Sequence, residues 1–203
     1  FPSTSGITAL SPIKPEGSEL INPNLVAGSE SGLLSLLDLR SGVTVRAGFP
    51  SVMRNGDGSI GSRRVESLNS VCVESSGQFV ICSDADGFVY SVHIGSWNLL
   101  GSNQVPGSDQ IRRMVPYFGR FLCSRRDENA MQCSRFFEIG VDASVNAHVS
   151  QNLVNCPAVY GLCYDKRSGV LAVAGISQEN ERKRRVVNIL EANNLAEITS
   201  YSI

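Results

Sequence analysis

Short apolar runs alternate with small polar turn clusters along the whole chain, and that alternation is its dominant signal. Leu25–Gly28 and Leu33–Leu37 flank Ser29-Glu-Ser-Gly32, and Val43–Ala47 follows a Ser41-Gly42 turn. The same order returns in Ser70–Glu74, Phe79–Cys82 and Phe88–Ile94, divided by Ser76-Gly77 and by Asp84-Ala-Asp-Gly87. Runs this short, bounded by Gly, Ser and Asp, predict strands joined by hairpins. The glycines in the links supply the positive φ that a tight hairpin requires. Long helical periodicity is missing. In Glu179–Leu190 the cluster Arg182-Lys-Arg-Arg185 interrupts any apolar face, and Val186-Val-Asn-Ile-Leu190 reads as a strand because of its β-branched content. A short helix over Asn188–Asn194 is the remaining alternative. The chain is expected to be all-β.

Set beneath one another, the strand groups form a repeat. A small-residue stretch closes the second strand of each group, at Gly28-Ser29, Cys82-Ser83, Cys123-Ser124 and Gly175-Ile-Ser177. First strands precede these at Ile7–Ile13, Leu68–Glu74, Ile111–Tyr117 and Val159–Tyr164. Third strands follow at Leu33–Leu39, Phe88–Ile94, Met131–Ile139 and Val186–Leu190, and fourth strands at Val43–Phe49, Leu99–Val105, Val145–Leu153 and Ala196–Ile203. The units 6–49, 65–105, 111–153 and 158–203 thus account for nearly all of one domain spanning 1–203. Repeats of about 40–45 residues with four strands each are the pattern of propeller blades. The expected fold is therefore propeller-like, with about four four-stranded blades. Two spacings are longer. Pro50–Arg64 (PSVMRNGDGSIGSRR) reads as a flexible loop between blades, and Gln178–Arg185 (QENERKRR) as a charged hairpin tip.

Leu25–Gly42, LVAGSESGLLSLLDLRSG, resembles the WD40 repeat family: an apolar-apolar-small-Gly-Ser start, a hairpin Gly, and a closing apolar-Asp-apolar-basic turn. Ser75–Ile94, SSGQFVICSDADGFVYSVHI, is similar to the same pattern. Leu37-Asp38 and Val92-His93 stand where the family has Trp-Asp, and Ile111–Leu153 and Val159–Ile203 keep the strand rhythm alone. The resemblance implies a propeller. Such proteins commonly use about seven blades, some 300 residues, so four units imply an open arc in preference to a closed four-bladed ring. The chain begins with Phe, and we expect it to be a segment of a larger protein whose ring is completed by another chain or segment.

Composition narrows the functional classes. Eighteen Lys and Arg oppose nineteen Asp and Glu, a net charge of −1, so overall charge does not call for a nucleic-acid or acidic-membrane partner. No apolar run reaches the roughly 20 residues that span a bilayer, and no basic-then-apolar leader is visible at the start. Cys72, Cys82, Cys123, Cys133, Cys156 and Cys163 show no zinc-ligand spacing, and His93 and His148 lie far from any close Cys pair. These cysteines are read as buried, reduced small hydrophobes, which with the absent leader places the chain inside the cell, in cytoplasm or nucleus.

Chemistry-bearing patterns are sparse. His93 and His148 belong to neither a GxSxG nor an HExxH motif. Asp84 and Asp86 read as turn residues, since the later ligands of a calcium loop are absent. Asn55-Gly-Asp-Gly58 is a turn without the Lys-Ser/Thr of a phosphate loop. No enzyme, cofactor or metal site is expected. The expectation is a protein–protein interaction scaffold in a multiprotein assembly, with contacts at Arg40, Arg63, Arg64, Arg182, Lys183, Arg184 and Arg185. Two alternatives stand beside it. Basic clusters on one face would bind nucleic acid, though acidic neighbours and the lack of interleaved aromatics speak against this. Leu25–Arg40 also resembles the WDxR box of substrate receptors that dock on the propeller adaptor of cullin ubiquitin ligases. Arg40 takes the basic position, with Ser31 and Leu37 departing from the box.

Overall fold

The computed structural model describes residues 5–13, 24–53, 67–105, 111–125, 135–149, 158–179 and 182–203. Of Arg112, Arg125, Arg135, Asn146–Val149, Ala158, Gln178, Glu179, Arg182 and Lys183 it describes the backbone alone. Four antiparallel sheets follow one another, each of four strands in chain order. The first blade holds β1 (Ile7–Pro12), β2 (Asn24–Ser29), β3 (Leu34–Asp38) and β4 (Val43–Gly48). The second holds β5 (Leu68–Val73), β6 (Phe79–Asp84), β7 (Phe88–His93) and β8 (Asn98–Gln104). The third holds β9 (Ile111–Tyr117), β10 (Arg120–Arg125), β11 (Arg135–Ile139) and β12 (Val145–Val149). The fourth holds β13 (Ala158–Asp165), β14 (Val170–Glu179), β15 (Arg182–Glu191) and β16 (Glu197–Ser202). No α-helix occurs among the described residues, and none is long and apolar enough to cross a membrane.

First strands pack in series, β1 on β5, β5 on β9 and β9 on β13, so the sheets fan out around one side of an axis. Among the described residues no comparable contact joins β13 back to β1, and these four sheets form an open arc. Three cores fill the three junctions. Val26, Leu34 and Leu36 meet Leu68, Val71 and Val80 between the first two blades. Cys72, Ile81 and Val89 meet Ile111, Phe121 and Phe137 in the next junction, and Leu122 and Phe136 meet Val159, Leu171 and Val173 in the last. Hydrogen bonds cross the same junctions. Ser11 Oγ accepts from the Val73 amide at 2.9 Å, and the Thr8 hydroxyl donates to the Leu68 carbonyl. The Ser91 hydroxyl donates to the Val141 carbonyl, and the Tyr117 phenol to that of Ala192.

One irregularity recurs. Every first strand carries an extra residue in its pairing with the second: Thr8, Asn69, Arg112 and Tyr160. These bulges align the blades, and they correct the alignment read from the letters. Ser83 and Ser124 are equivalent to Gly28 and Ala174 by ladder position, while Ser29 and Ser177 fall outside that row. The strand-closing Ser recurs in the sequence, but the bulge register fixes which residue meets the neighbouring blade.

Other expectations change in detail. Gln178–Arg185 lies at the end of the β14–β15 hairpin, as expected, and the ladder runs on to Glu179↔Arg182. Pro50–Val52 forms a single 3-10 turn with Pro50 and Ser51 buried, Met53 after it packs into the first junction core, and the expected loop from residue 54 on, including Arg63 and Arg64, lies outside the described residues. The alternative helix at Asn188–Asn194 is strand up to Glu191. Cys72, Cys82 and Cys123 are free thiols inside the junction cores, as expected, while Cys133 and Cys156 lie outside the described residues. Cys163 is exposed, because its side of β13 has no blade against it. Burial pushes the Cys72 thiol up to about 12 and raises those of Cys82 and Cys123 as well. A maleimide applied to the native protein, with labels mapped by peptide mass, should modify Cys163 and leave these three untouched until denaturant is added. Native labelling of Cys82 would contradict this structure.

Candidate functional site

Arg40 occupies the turn between β3 and β4 and is exposed. The turn is built by Asp38, whose Oδ1 accepts from the Arg40 amide at 2.9 Å and whose Oδ2 accepts from the Ser41 hydroxyl at 3.0 Å. Gly42 closes it at φ 68°. The hairpin between β13 and β14 repeats the device with Asp165-Lys-Arg-Ser-Gly169. There the Arg167 amide bonds Asp165 Oδ1 at 3.1 Å, the Ser168 hydroxyl bonds Oδ2 at 2.6 Å, and Gly169 sits at φ 66°. An Asp-x-Arg-Ser-Gly segment at two different blade positions is a turn solution in its own right, which accounts for the box-like ending of Leu25–Arg40. The Arg40 amide, followed by the Ser41 hydroxyl, holds the Asp38 carboxyl below the usual carboxylate range, and the Ser168 hydroxyl leads the same effect at Asp165. Both lowered values keep these caps intact above the ordinary carboxylate range and release them as pH falls through the lowered values.

Arg40 and the Arg182–Arg185 segment do not converge. In each antiparallel sheet the second-to-third turn lies at the opposite end from the third-to-fourth turn. Arg40 is on the latter in the first blade, and the Arg182–Arg185 segment follows the former in the fourth. They therefore sit on opposite faces of the arc. Arg184 and Arg185 are exposed and pair with Ser177 and Ile176, so as strand neighbours they point to opposite sides of the sheet. Arg182 and Lys183 lie on the β15 backbone, and their side chains are outside the description.

Groups with catalytic potential are engaged in structure. Asp84 is 1% exposed, and its Oδ1 accepts from the amides of Asp86 and Phe88, each at 2.9 Å. Its Oδ2 accepts from the Tyr90 phenol at 2.8 Å. His93 Nδ1 accepts from the Ser96 amide at 3.2 Å, with the Ser96 hydroxyl 2.9 Å away, and the ring lies 5.4 Å from that of Phe79. The two residues tie down the β6–β7 and β7–β8 turns. Among the described residues no three His, Cys, Asp or Glu side chains group as metal ligands.

Two surface features were missed in the sequence. At the β9–β10 turn Phe118 stands 58% exposed at φ 44°, its ring 4.7 Å from Tyr117 and 5.5 Å from Tyr164. A bulky residue in left-handed backbone is uncommon, and the following Gly119 was the only local hint of so tight a turn. The second is the outer side of the fourth blade. There Tyr160, Ala174, Ile176, Val187 and Ile203 line a shallow groove of about 410 Å³.

Comparison with known proteins places the fold. The chain resembles the crystal structure of the β-propeller domain of Cps50 (Swd1) from Myceliophteria thermophila, with a TM-score of 0.60 and 10% identity over 90% of this chain and 52% of that one. It also resembles hydrazine synthase from Kuenenia stuttgartiensis, with a TM-score of 0.68 and 13% identity over 98% of this chain and 49% of that one. The chain is thus an all-β protein whose four blades form a partial propeller. It spans about half the length of the solved structures it matches. No family model and no curated protein matches its sequence.

Proposed function

We propose that the chain is a non-catalytic interaction scaffold, built from divergent WD40-like repeats, that holds other proteins in a multiprotein assembly in the cytoplasm or nucleus. One observation supports this most. Asp38, Asp84, Asp165, His93 and the core thiols are committed to turns and junctions, while the exposed turns offer Arg40, Phe118 and Arg167 to solvent. Rigid sheets presenting loops this way hold partners without local chemistry. Affinity capture with quantitative mass spectrometry tests the reading, with Arg40→Ala, Phe118→Asp and Arg184→Ala/Arg185→Ala variants run beside the unaltered chain. A defined set of proteins held by the unaltered chain and lost with one variant is expected. Indistinguishable capture by all four would overturn it. The same material separates the alternatives: salt-dependent retention of an oligonucleotide would favour nucleic acid, and loss of a cullin-ligase adaptor with Arg40→Ala would favour the ligase receptor.

A further inference from the structure

The net charge of −1 conceals an uneven distribution. In the third and fourth blades, β9, β11, β13 and β15 begin at the end of the sheet where β10, β12 and β14 finish. The two sheets are aligned. Arg113 near the start of β9 bonds Tyr160 near the start of β13, and Tyr117 at the finish of β9 meets Tyr164 near that of β13. At this shared end, residues 106–113, 125–135, 149–158 and 178–185 hold nine Lys and Arg against five Asp and Glu, connecting links included. The remainder of these two blades holds three against five, and residues 1–105 hold six against nine. Charges that serve solubility mix their signs over a surface, whereas an excess of one sign in one place sets up a directed field.

Strand register puts these cations on adjoining strands. Arg113 pairs with Ser124, and Arg125 and Arg135 are the next residues beyond the Ser124↔Phe136 pair. Arg113 is exposed, and its Nε donates across the junction to the Tyr160 carbonyl at 2.7 Å. The β14–β15 hairpin carries the rest. Its ladder runs five pairs past Ala174↔Val187, the position equivalent to Ser83↔Val89, where the β6–β7 ladder stops. At about 3.3 Å per residue the arm projects about 16 Å, and Arg182, Lys183, Arg184 and Arg185 all lie on it. Arg184 is exposed on the side of the sheet that it shares with Val186, which is packed in the core between the third and fourth blades. It therefore borders the end of a junction that already has a sheet on either side. Further sheets beside these two would leave that end uncovered. Like charges on neighbouring strand positions repel, a cost that an anionic partner removes.

We infer that this end of the third and fourth blades docks an extended acidic segment of a partner protein, laid across the junction between β9–β11 and the projecting β14–β15 arm. The inference deepens the scaffold reading above and rests on it. Guanidinium groups, which make up all but one of the nine cations, bind carboxylates through paired hydrogen bonds. The five acids at the same end favour a peptide over a nucleic acid. A duplex carries a charge about every 1.7 Å and would lie against them, while a peptide sets its carboxylates beside the arginines alone.

Fluorescence anisotropy with purified chain tests this, using a labelled peptide of alternating Glu and Ser, the same peptide with Gln for Glu, and a labelled DNA duplex. The Glu peptide should bind, more weakly as salt rises, and the Gln peptide should not. Arg135→Gln/Arg184→Gln, one change in each blade, should weaken binding about fivefold or more. Arg46→Gln/Lys166→Gln removes the same charge away from this end and should stay within about twofold of the unaltered chain. Circular dichroism checks folding, and Arg182→Gln/Arg184→Gln replaces the first variant if that one does not fold. Absent peptide binding overturns the inference, as do equal losses in the two double variants. Tighter binding of DNA, lost with Arg135→Gln/Arg184→Gln, overturns it in favour of nucleic acid. Proteins captured through Arg40 or Phe118 alone would keep the scaffold reading while this end failed its own test.

Discussion

Phe121→Ala is expected to lower the stability of the protein by about 3–5 kcal/mol, the usual cost of emptying a phenylalanine-sized site in a closed core. Phe121 lies on β10 with no exposure, in the junction core that also holds Cys72, Ile81, Val89 and Phe137. Its neighbours belong to two sheets, whose strands are fixed by ladders on either side, so the site has little freedom to collapse. A domain with a total stability of about 5–15 kcal/mol loses a large fraction of it. Urea denaturation followed by tryptophan and circular-dichroism signals measures the shift. Phe118→Ala on the neighbouring turn serves as the contrast, since that ring is largely in solvent. If both variants unfold at the same urea concentration, the burial assigned to Phe121 is wrong.

Asp84→Ala is expected to cost a comparable amount, about 3–5 kcal/mol, for a different reason. Its carboxyl answers two backbone amides and the phenol of Tyr90, which is itself buried. Alanine takes this acceptor away from three donors, and a buried donor that loses its acceptor costs about 1–3 kcal/mol. Tyr90→Phe removes a single member and should cost only about 1 kcal/mol. The double variant should then be less destabilised than the two losses added together, because Asp84→Ala has already taken the Asp84 acceptor from the phenol. Additive losses would mean that Asp84 and Tyr90 act independently and that the short contact between them carries no energy.

The strands were legible because each is announced twice, by its own β-branched run and by the turn chemistry on either side. Val43–Gly48, Phe88–His93 and Ile111–Tyr117 show this plainly. The alternating character of Val186–Leu190 likewise outweighed the helix-compatible letters that follow it. Alignment between blades was harder. Ser29, Ser83, Ser124 and Ser177 share a letter, yet ladder position equates Gly28, Ser83, Ser124 and Ala174, and a bulge leaves no fixed letter in the sequence. Exposure was illegible where it depends on a missing neighbour. Cys72 and Cys163 both sit on first strands in apolar surroundings, but only the former has a blade packed over its face. Of the proposed contact residues, the sequence could place Arg40 on a turn. It could not reveal that Asp38 and Ser41 dictate that turn, or that Arg184 and Arg185 diverge.

The extra residue in each inner strand has a bearing on how such a chain can vary. Side chains along a strand change sides with every step, so one added residue acts as a parity switch. It is Asn69 that lets Leu68 and Val71, an odd number of positions apart, address the same neighbour. Loss of that one residue would turn half the strand toward the wrong wedge while leaving the composition almost unchanged. Length variation is consequently tolerable in the links between sheets, where Pro50–Arg64 already shows it, and forbidden by single steps in the strands nearest the axis.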